Sequence, residues 1–156
     1  KLDAEKICIK NKSLILRTNF FGKSIVDKKS FSDWVQKSMS GKKNFYLFKD
    51  VYFSPLRIAS ICKFIKKIIS RNFGKNGIYN LGSKKGLSKL EFSLIFSKYL
   101  EIKNNNYKIN TINQVRKIKR SRNMLMSVKK FENTFKMNMP HLKNEIKNEV
   151  NANYLN

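Results

Sequence analysis

Apolar positions along this chain recur with two different periods, and the switches between them mark out its elements. Residues 1–12 carry Leu2, Cys8 and Ile9 among charges, a pattern that reads as the tail of a helix. Residues 14–21 (LILRTNFF) form an apolar run with one basic residue, closed by Gly22, which suits a strand buried on both faces as in a parallel sheet. From Ser30 the spacing becomes helical, with Phe31, Trp34, Val35, Ser38 and Met39 on one face. Ser30 and Asp33 make a capping box at its start, and Gly41 suits a left-handed position beyond its end. Short strands follow at 45–48 and 51–53. Pro55 is expected to open a helix whose buried face is Ile58, Ile61, Cys62, Ile65, Ile68 and Ile69, with Lys63, Lys66 and Lys67 pointing away.

The second half repeats this alternation. Gly77 to Gly82 (GIYNLG) is a strand flanked by glycines, and Ser88 with Glu91 caps a helix carrying Leu90, Leu94, Ile95 and Tyr99. Residues 104–106 are a loop of three asparagines, and 107–112 a strand. Ser127 is placed to cap a short helix running to Lys136. Pro140 begins a last helix with Leu142, Ile146, Val150 and Tyr154 spaced by four. Helices alternating with short strands predict an α/β architecture in preference to a bundle or a sandwich.

Charge is the most unusual feature of the composition. The 156 residues carry 34 Lys+Arg against 10 Asp+Glu, a net +24, of which only six basic residues are Arg. The lysines lie in a background crowded with Asn and Ile, as an AT-rich coding sequence produces, and such a bias raises charge without selection for binding an anion. Two cysteines, Cys8 and Cys62, and one histidine, His141, are too few for a disulfide scaffold or a Cys/His zinc site. No apolar stretch reaches the roughly 18 residues of a membrane span. The first residues lack the apolar core of a signal peptide and an initiator Met, so the chain is expected to be cytoplasmic and part of something longer.

Candidate chemistry is sparse. The glycines at 74–77 and 82–86 match neither dinucleotide nor P-loop fingerprints and read as turns. Cys62 is expected to pack in a helix face, and His141 has no evident Ser or Cys partner for a triad. Glu145 and Glu149 share a helix face that reads as solvated, with Lys147 beside them. The basic cluster Arg116, Lys117, Lys119, Arg120 and Arg122 reads either as a phosphate site, in which Arg120 offers paired planar donors, or as an exposed loop of a lysine-rich chain.

The order of segments carries more than any one of them. Residues 16–22 (LRTNFFG), an FSDW helix at 31–34, FSP at 53–55 before a helix, GIYNLG at 77–82 before a Ser-x-x-Glu helix, and KRSRNM at 119–124 before a short helix together resemble the C-terminal half of the dTDP-4-dehydrorhamnose reductase family. These are extended short-chain dehydrogenase/reductases acting on nucleotide sugars, and the resemblance runs from about residue 1 to 145. It implies the C-terminal part of a Rossmann-like parallel sheet with a small substrate-binding α/β subdomain. Residues 1–156 would then be a single substrate-binding portion of a larger NAD(P)-dependent enzyme, whose absent N-terminal half holds the cofactor.

The family's residue roles carry over position by position. Residues 1–5 (KLDAE) are similar to the end of the family's Tyr-x-x-x-Lys helix, which makes Lys1 the implied catalytic lysine. Asn19, Phe20 and Phe21 occupy the stretch that lines the sugar and nicotinamide pocket. Ser54, before Pro55, and Arg57 match the family's Ser/Thr-Pro turn, and Arg120 matches an arginine whose following proline is Ser121 here. The usual Arg-Thr-Ser-Trp is Arg-Thr-Asn-Phe, which leaves the sugar and the choice between reduction and epimerisation open. The resemblance implies NAD(P)H as cofactor of the whole enzyme, none bound by this chain alone, and a nucleotide sugar and the N-terminal half as partners, with no membrane and no specific nucleic acid. Two rival readings stand beside it: a basic nucleic-acid-binding protein of ribosomal or organellar type, for which the charge would be the footprint, and a non-catalytic regulatory subunit of the same fold.

Overall fold

The computed structural model describes residues 2–25, 29–103, 106–115 and 121–155. The chain runs α1 (Leu2–Lys10), β1 (Leu14–Thr18), β2 (Phe20–Phe21), α2 (Phe31–Ser40), β3 (Phe45–Phe48), β4 (Tyr52–Phe53), β5 (Leu56–Arg57), α3 (Ile58–Ser70), β6 (Gly77–Leu81), β7 (Leu87–Ser88), α4 (Lys89–Tyr99), β8 (Tyr107–Asn110), α5 (Ile112–Val115), β9 (Asn123–Met124), α6 (Lys129–Phe135) and α7 (Leu142–Asn153). Parallel pairing dominates. β1 lies in register with β6, β2 with β5, and β3 with β8, while β4 pairs antiparallel with β7 and parallel with β9. This is the α/β fold with parallel strands that the alternating periods imply. Among the described residues no helix is long and apolar enough to cross a membrane.

Two apolar clusters fill the interior. One joins α2, β3, β4, α4 and α7 through Val35, Leu47, Phe53, Phe92, Phe96 and Ile146, and the other joins β5, α3, β6 and α6 through Leu56, Phe64, Leu81, Phe131 and Phe135. Ring packing is dense in both, as in the edge-on contact of Phe21 with Phe92 at 5.1 Å and the tilted pair Phe131 and Phe135 at 4.8 Å.

Both capping boxes form. The Ser30 hydroxyl accepts from Asp33 N at 3.1 Å and Ser88 from Glu91 N at 3.1 Å, each acidic side chain bonding back to the cap amide. Several other local expectations are corrected. The 14–21 run is two strands broken at Asn19, and β1 has one sheet partner among the described residues, so Leu14, Ile15 and Leu16 are half-buried while Arg17 and Thr18 are exposed. Gly41 is extended at φ −87°, not left-handed. Pro55 precedes a two-residue strand, and α3 starts at Ile58. Ser127 does not cap α6, whose N-cap is Val128. The strand at 107–112 ends at Asn110, since Asp50 Oδ1 accepts Ile112 N at 3.0 Å and turns the chain into α5.

The buried face of α3 is rotated from the expected one. Phe64 and Ile68 are buried, Cys62 is exposed, and Ile58 and Ile69 are 47% and 73% exposed. Isoleucines span more of the wheel than one face, and the aromatic cluster of α6 selects the Phe64 side through the edge-on Phe64 and Phe131 rings.

Glu145 and Glu149 are the largest correction, being 2% and 3% exposed instead of solvated. Glu145 Oε2 accepts from Arg57 N at 3.0 Å and its Oε1 from the Ser60 hydroxyl at 3.0 Å, so α7 caps the start of α3, whose own N-cap Arg57 makes no side-chain cap bond. Glu149 Oε1 accepts from Lys23 N at 3.1 Å and Asn153 Nδ2 at 2.9 Å. Burial raises the Glu145 pKa, with the charge of Glu149 adding to it, against the lowering effect of the Arg57 amide and Ser60 hydroxyl.

Replacing Glu145 with Leu strands a buried amide and a hydroxyl and should cost about 2–4 kcal/mol of stability in urea melts. Glu145→Gln keeps an acceptor for Arg57 N and should cost little at neutral pH. The folded pKa being raised, the unfolded chain holds fewer protons on this group, so wild type should lose stability relative to the Gln variant as pH rises from the ordinary carboxylate value through the raised one.

Candidate functional site

Beside the first core cluster lies a cavity of about 810 Å³ with mainly apolar walls. α2 contributes Phe31 and Trp34, three residues apart and therefore on one face, with their rings stacked 5.8 Å apart. β3 contributes Phe45 to Phe48, and Trp34 meets Phe45 edge-on at 5.8 Å. Ile112, Ser121 and Met124 close another side. Asp50 ties that side to the turn after β3: besides receiving Ile112 N, its second oxygen stands 3.5 Å from Arg122 Nε, an ion-pair contact without hydrogen-bond geometry.

Lys89 is the one amine lining the cavity among the described residues. It is the first residue of α4, fixed there by the capping box and by its own amide, which donates to Val51 O at 2.8 Å. Its Nζ stands 3.6 Å from the Phe31 ring centre and 3.5 Å from that of Phe53. Burial pushes this ammonium down to about 7. The positive end of the α4 dipole opposes the charge as well, whereas each ring face favours it by about 0.5–2 kcal/mol. Lys89 forms no ion pair among the described residues. The sequence reading assigned it no role, because a lysine inside a capping box reads as solvated unless the rings that meet it are known.

The residues singled out by resemblance fall into three groups. Asn19 and Ser54 come together on one segment: Asn19 Nδ2 donates to Met124 O at 3.4 Å, and the Ser54 hydroxyl accepts Met126 N at 3.0 Å. Asn19 Oδ1 is buried and has no hydrogen-bond partner among the described residues. Phe20 is 65% exposed next to them, while Phe21 is buried against Phe92. Arg57 turns toward α7, its Nη1 donating to Asn148 O at 2.9 Å. Lys1 and Arg120 lie outside the described residues, as does most of the basic cluster. Met124 joins the first group to the cavity, since it lines the cavity and its carbonyl holds Asn19.

Gly82 and Gly86 are glycines of close packing. A Cβ at Gly82 would come within 2.8 Å of Ser54 O, and one at Gly86 within 2.7 Å of Phe53 O and against Leu125. These glycines let β4 and its neighbours approach and leave no cradle for a pyrophosphate. His141 caps α7 through its backbone and is exposed.

A family model described as the RmlD substrate binding domain matches residues 1–155. No curated protein matches the chain in sequence. Among solved structures, a dTDP-4-dehydrorhamnose reductase from Clostridium acetobutylicum is 17% identical with a TM-score of 0.82, covering 97% of this chain and 53% of its own. One from Bacillus anthracis, in complex with NADP, is 17% identical with a TM-score of 0.78 over 93% and 51%. A UDP-galactose 4-epimerase is 14% identical with a TM-score of 0.68 over 96% and 50%. The chain thus spans about half the length of these relatives.

Because the folded pKa of Lys89 is depressed, the unfolded chain binds more protons between about pH 7 and the ordinary lysine value. Stability contributed by this position should rise with pH across that window. Lys89→Met should therefore be more stable than wild type below about pH 7, with the advantage shrinking towards pH ~10, as read by thermal melts of both proteins.

Proposed function

The chain belongs to the RmlD substrate-binding-domain family, and from that premise we propose that it binds the nucleotide sugar of an NAD(P)H-dependent reductase or epimerase. The observation that carries the reading is the aromatic cavity joined through Met124 to Asn19. The stacked rings of Phe31 and Trp34, with Phe45 edge-on to Trp34, suit a nucleobase, and the unpaired Asn19 Oδ1 suits a hydroxyl of the attached sugar. Asn19 follows the C-terminal end of β1 and Ser54 that of β4, and ligands of parallel sheets collect beyond such strand ends.

Each residue then has a part in binding. Asn19 orients the sugar, Phe20 covers it, and Ser54 fixes the 124–126 segment that forms the wall between sugar and base. Phe21 and Arg57 act from behind, Phe21 by anchoring β2 in the core and Arg57 by joining β5 to α7. Arg120, next to the cavity-lining Ser121, serves the diphosphate as a paired donor, and Lys1 serves the reaction of the complete enzyme. When bound, NAD(P)H supplies hydride for a 4-keto sugar. On this reading the glycine loop that would hold its pyrophosphate lies in a half outside residues 1–156.

Calorimetric titration at physiological salt tests this. A dTDP- or UDP-hexose should bind residues 1–156 saturably and be displaced by the matching nucleoside diphosphate, and NADPH should not bind saturably. Arg120→Ala should weaken nucleotide-sugar affinity about tenfold or more, as loss of a charge-assisted bond does. Micromolar NADPH binding without nucleotide-sugar binding would overturn the proposal.

A further inference from the structure

The cavity also holds a nucleophile with nothing to keep it protonated but two aromatic rings. Lys89 Nζ stands over both, 3.6 Å from the centre of Phe31 and 3.5 Å from that of Phe53. No carboxylate lines the cavity among the described residues, and Lys89 forms no ion pair there. A neutral amine has two N–H groups and one lone pair. N–H groups are attracted to aromatic faces, so the two rings take both hydrogens and turn the lone pair to the remaining side, where the cavity opens. Desolvation in an apolar pocket is one of the ways in which a lysine becomes a nucleophile.

We propose that Lys89 is a covalent binding site of this cavity, at which an aromatic aldehyde condenses with Nζ as an imine. The lone pair of Nζ forms a bond to the carbonyl carbon while the carbonyl electron pair moves to oxygen, and one amine proton passes to that oxygen to give a carbinolamine. The second N–H proton then leaves with the hydroxyl as water, and the nitrogen electrons close the C=N bond. No oxidant or reductant is needed. The cavity suits this reactant on two counts: its stacked Phe31 and Trp34 rings offer a flat wall to a ring, and aldehyde and imine are both uncharged, so neither meets the cost that an ion would in such walls. The lowered basicity of this amine agrees, since at about pH 7 close to half of it is neutral, against about one part in 2,500 for a lysine at its ordinary value. The inference stands on the surroundings of Lys89 and not on the nucleotide-sugar reading, and failure of either leaves the other in place.

Benzaldehyde is a suitable probe, because it is flat and uncharged and so is not gathered by the basic surface. The chain is equilibrated with it across pH 6 to about 10, a range that brackets both amine values, the imines are trapped with borohydride, and the benzylated lysines are mapped by mass spectrometry. At pH 7 Lys89 should reach half occupancy at a benzaldehyde concentration about tenfold or more below that needed by the exposed Lys63. The gap should narrow towards pH ~10, where ordinary lysines also lose their protons. In urea, with the rings dispersed, the two lysines should label alike. Phe31→Leu, which removes one ring face, should bring Lys89 towards Lys63 at pH 7, and the urea control needs no variant to fold. Labelling of Lys89 no better than that of Lys63 at pH 7, or an advantage that persists at pH ~10 or in urea, would overturn the proposal.

Discussion

Two carboxylates withdrawn from water on one helix hold the working half of this fold in place. Glu145 and Glu149 lie on the same side of α7 as Leu142, Ile146 and Val150, so the packing that buries the apolar residues buries the charges too. An unpaired carboxylate there would be prohibitive, and each accepts one backbone amide from a distant part of the chain and one side-chain donor. Glu145 receives the start of α3, and Glu149 receives the chain just after β2. The two contacts fall at the C-terminal ends of the paired strands β5 and β2, so α7 fixes both strand ends at once. Tyr154 extends the same device, its hydroxyl donating to Asp33 at 2.8 Å at the start of α2. The helix that carries Phe31 and Trp34 into the cavity is therefore tied to the one that holds the strand ends near Asn19.

The charge of the chain has a different meaning once the fold is known. Aromatic rings, which a single-stranded nucleic-acid platform would expose among basic residues, are here mostly packed on one another: Phe92 touches Phe21, Phe31, Phe53 and Phe96. The lysines of α3 lie outside its buried Phe64 and Ile68. A net +24 spread in this way attracts polyanions weakly and through salt-sensitive counterion release, and it also favours any phosphorylated ligand approaching the cavity.

What the sequence discloses and what it hides divide along the range of the interaction. The two capping boxes are legible because a hydroxyl and a carboxylate three residues apart settle their own hydrogen bonds locally. The alternation of strand and helix, and the order of motifs that resembles a reductase half, are legible for the same reason. Illegible features depend on what arrives from elsewhere. Glu145 looks solvated until Arg57 N and Ser60, more than eighty positions away, are brought to it. The face of α3 is chosen by Phe131, and the coverage of β1 by the number of its neighbours. Of the candidate site, Asn19 and Ser54 are reachable from the motif, whereas Lys89 is not, since nothing within its own turn marks it as anything but a surface lysine.

Lys89 also shows what kind of residue such blindness concerns. Placed at the first turn of a helix, half-buried and without a carboxylate, it violates the local preference for acidic residues there, and only two ring faces compensate. A methionine of similar length would fill the space at lower electrostatic cost. Positions that break a local rule without an evident structural gain concentrate at sites where a ligand supplies the missing interaction. The cavity wall gives that ligand its shape, a flat ring along Phe31 and Trp34, and the stressed amine gives it a polarity, an acceptor at the edge. Shape alone would admit any flat ring, and polarity alone any anion; the cavity at the start of α4 combines the two constraints in one place.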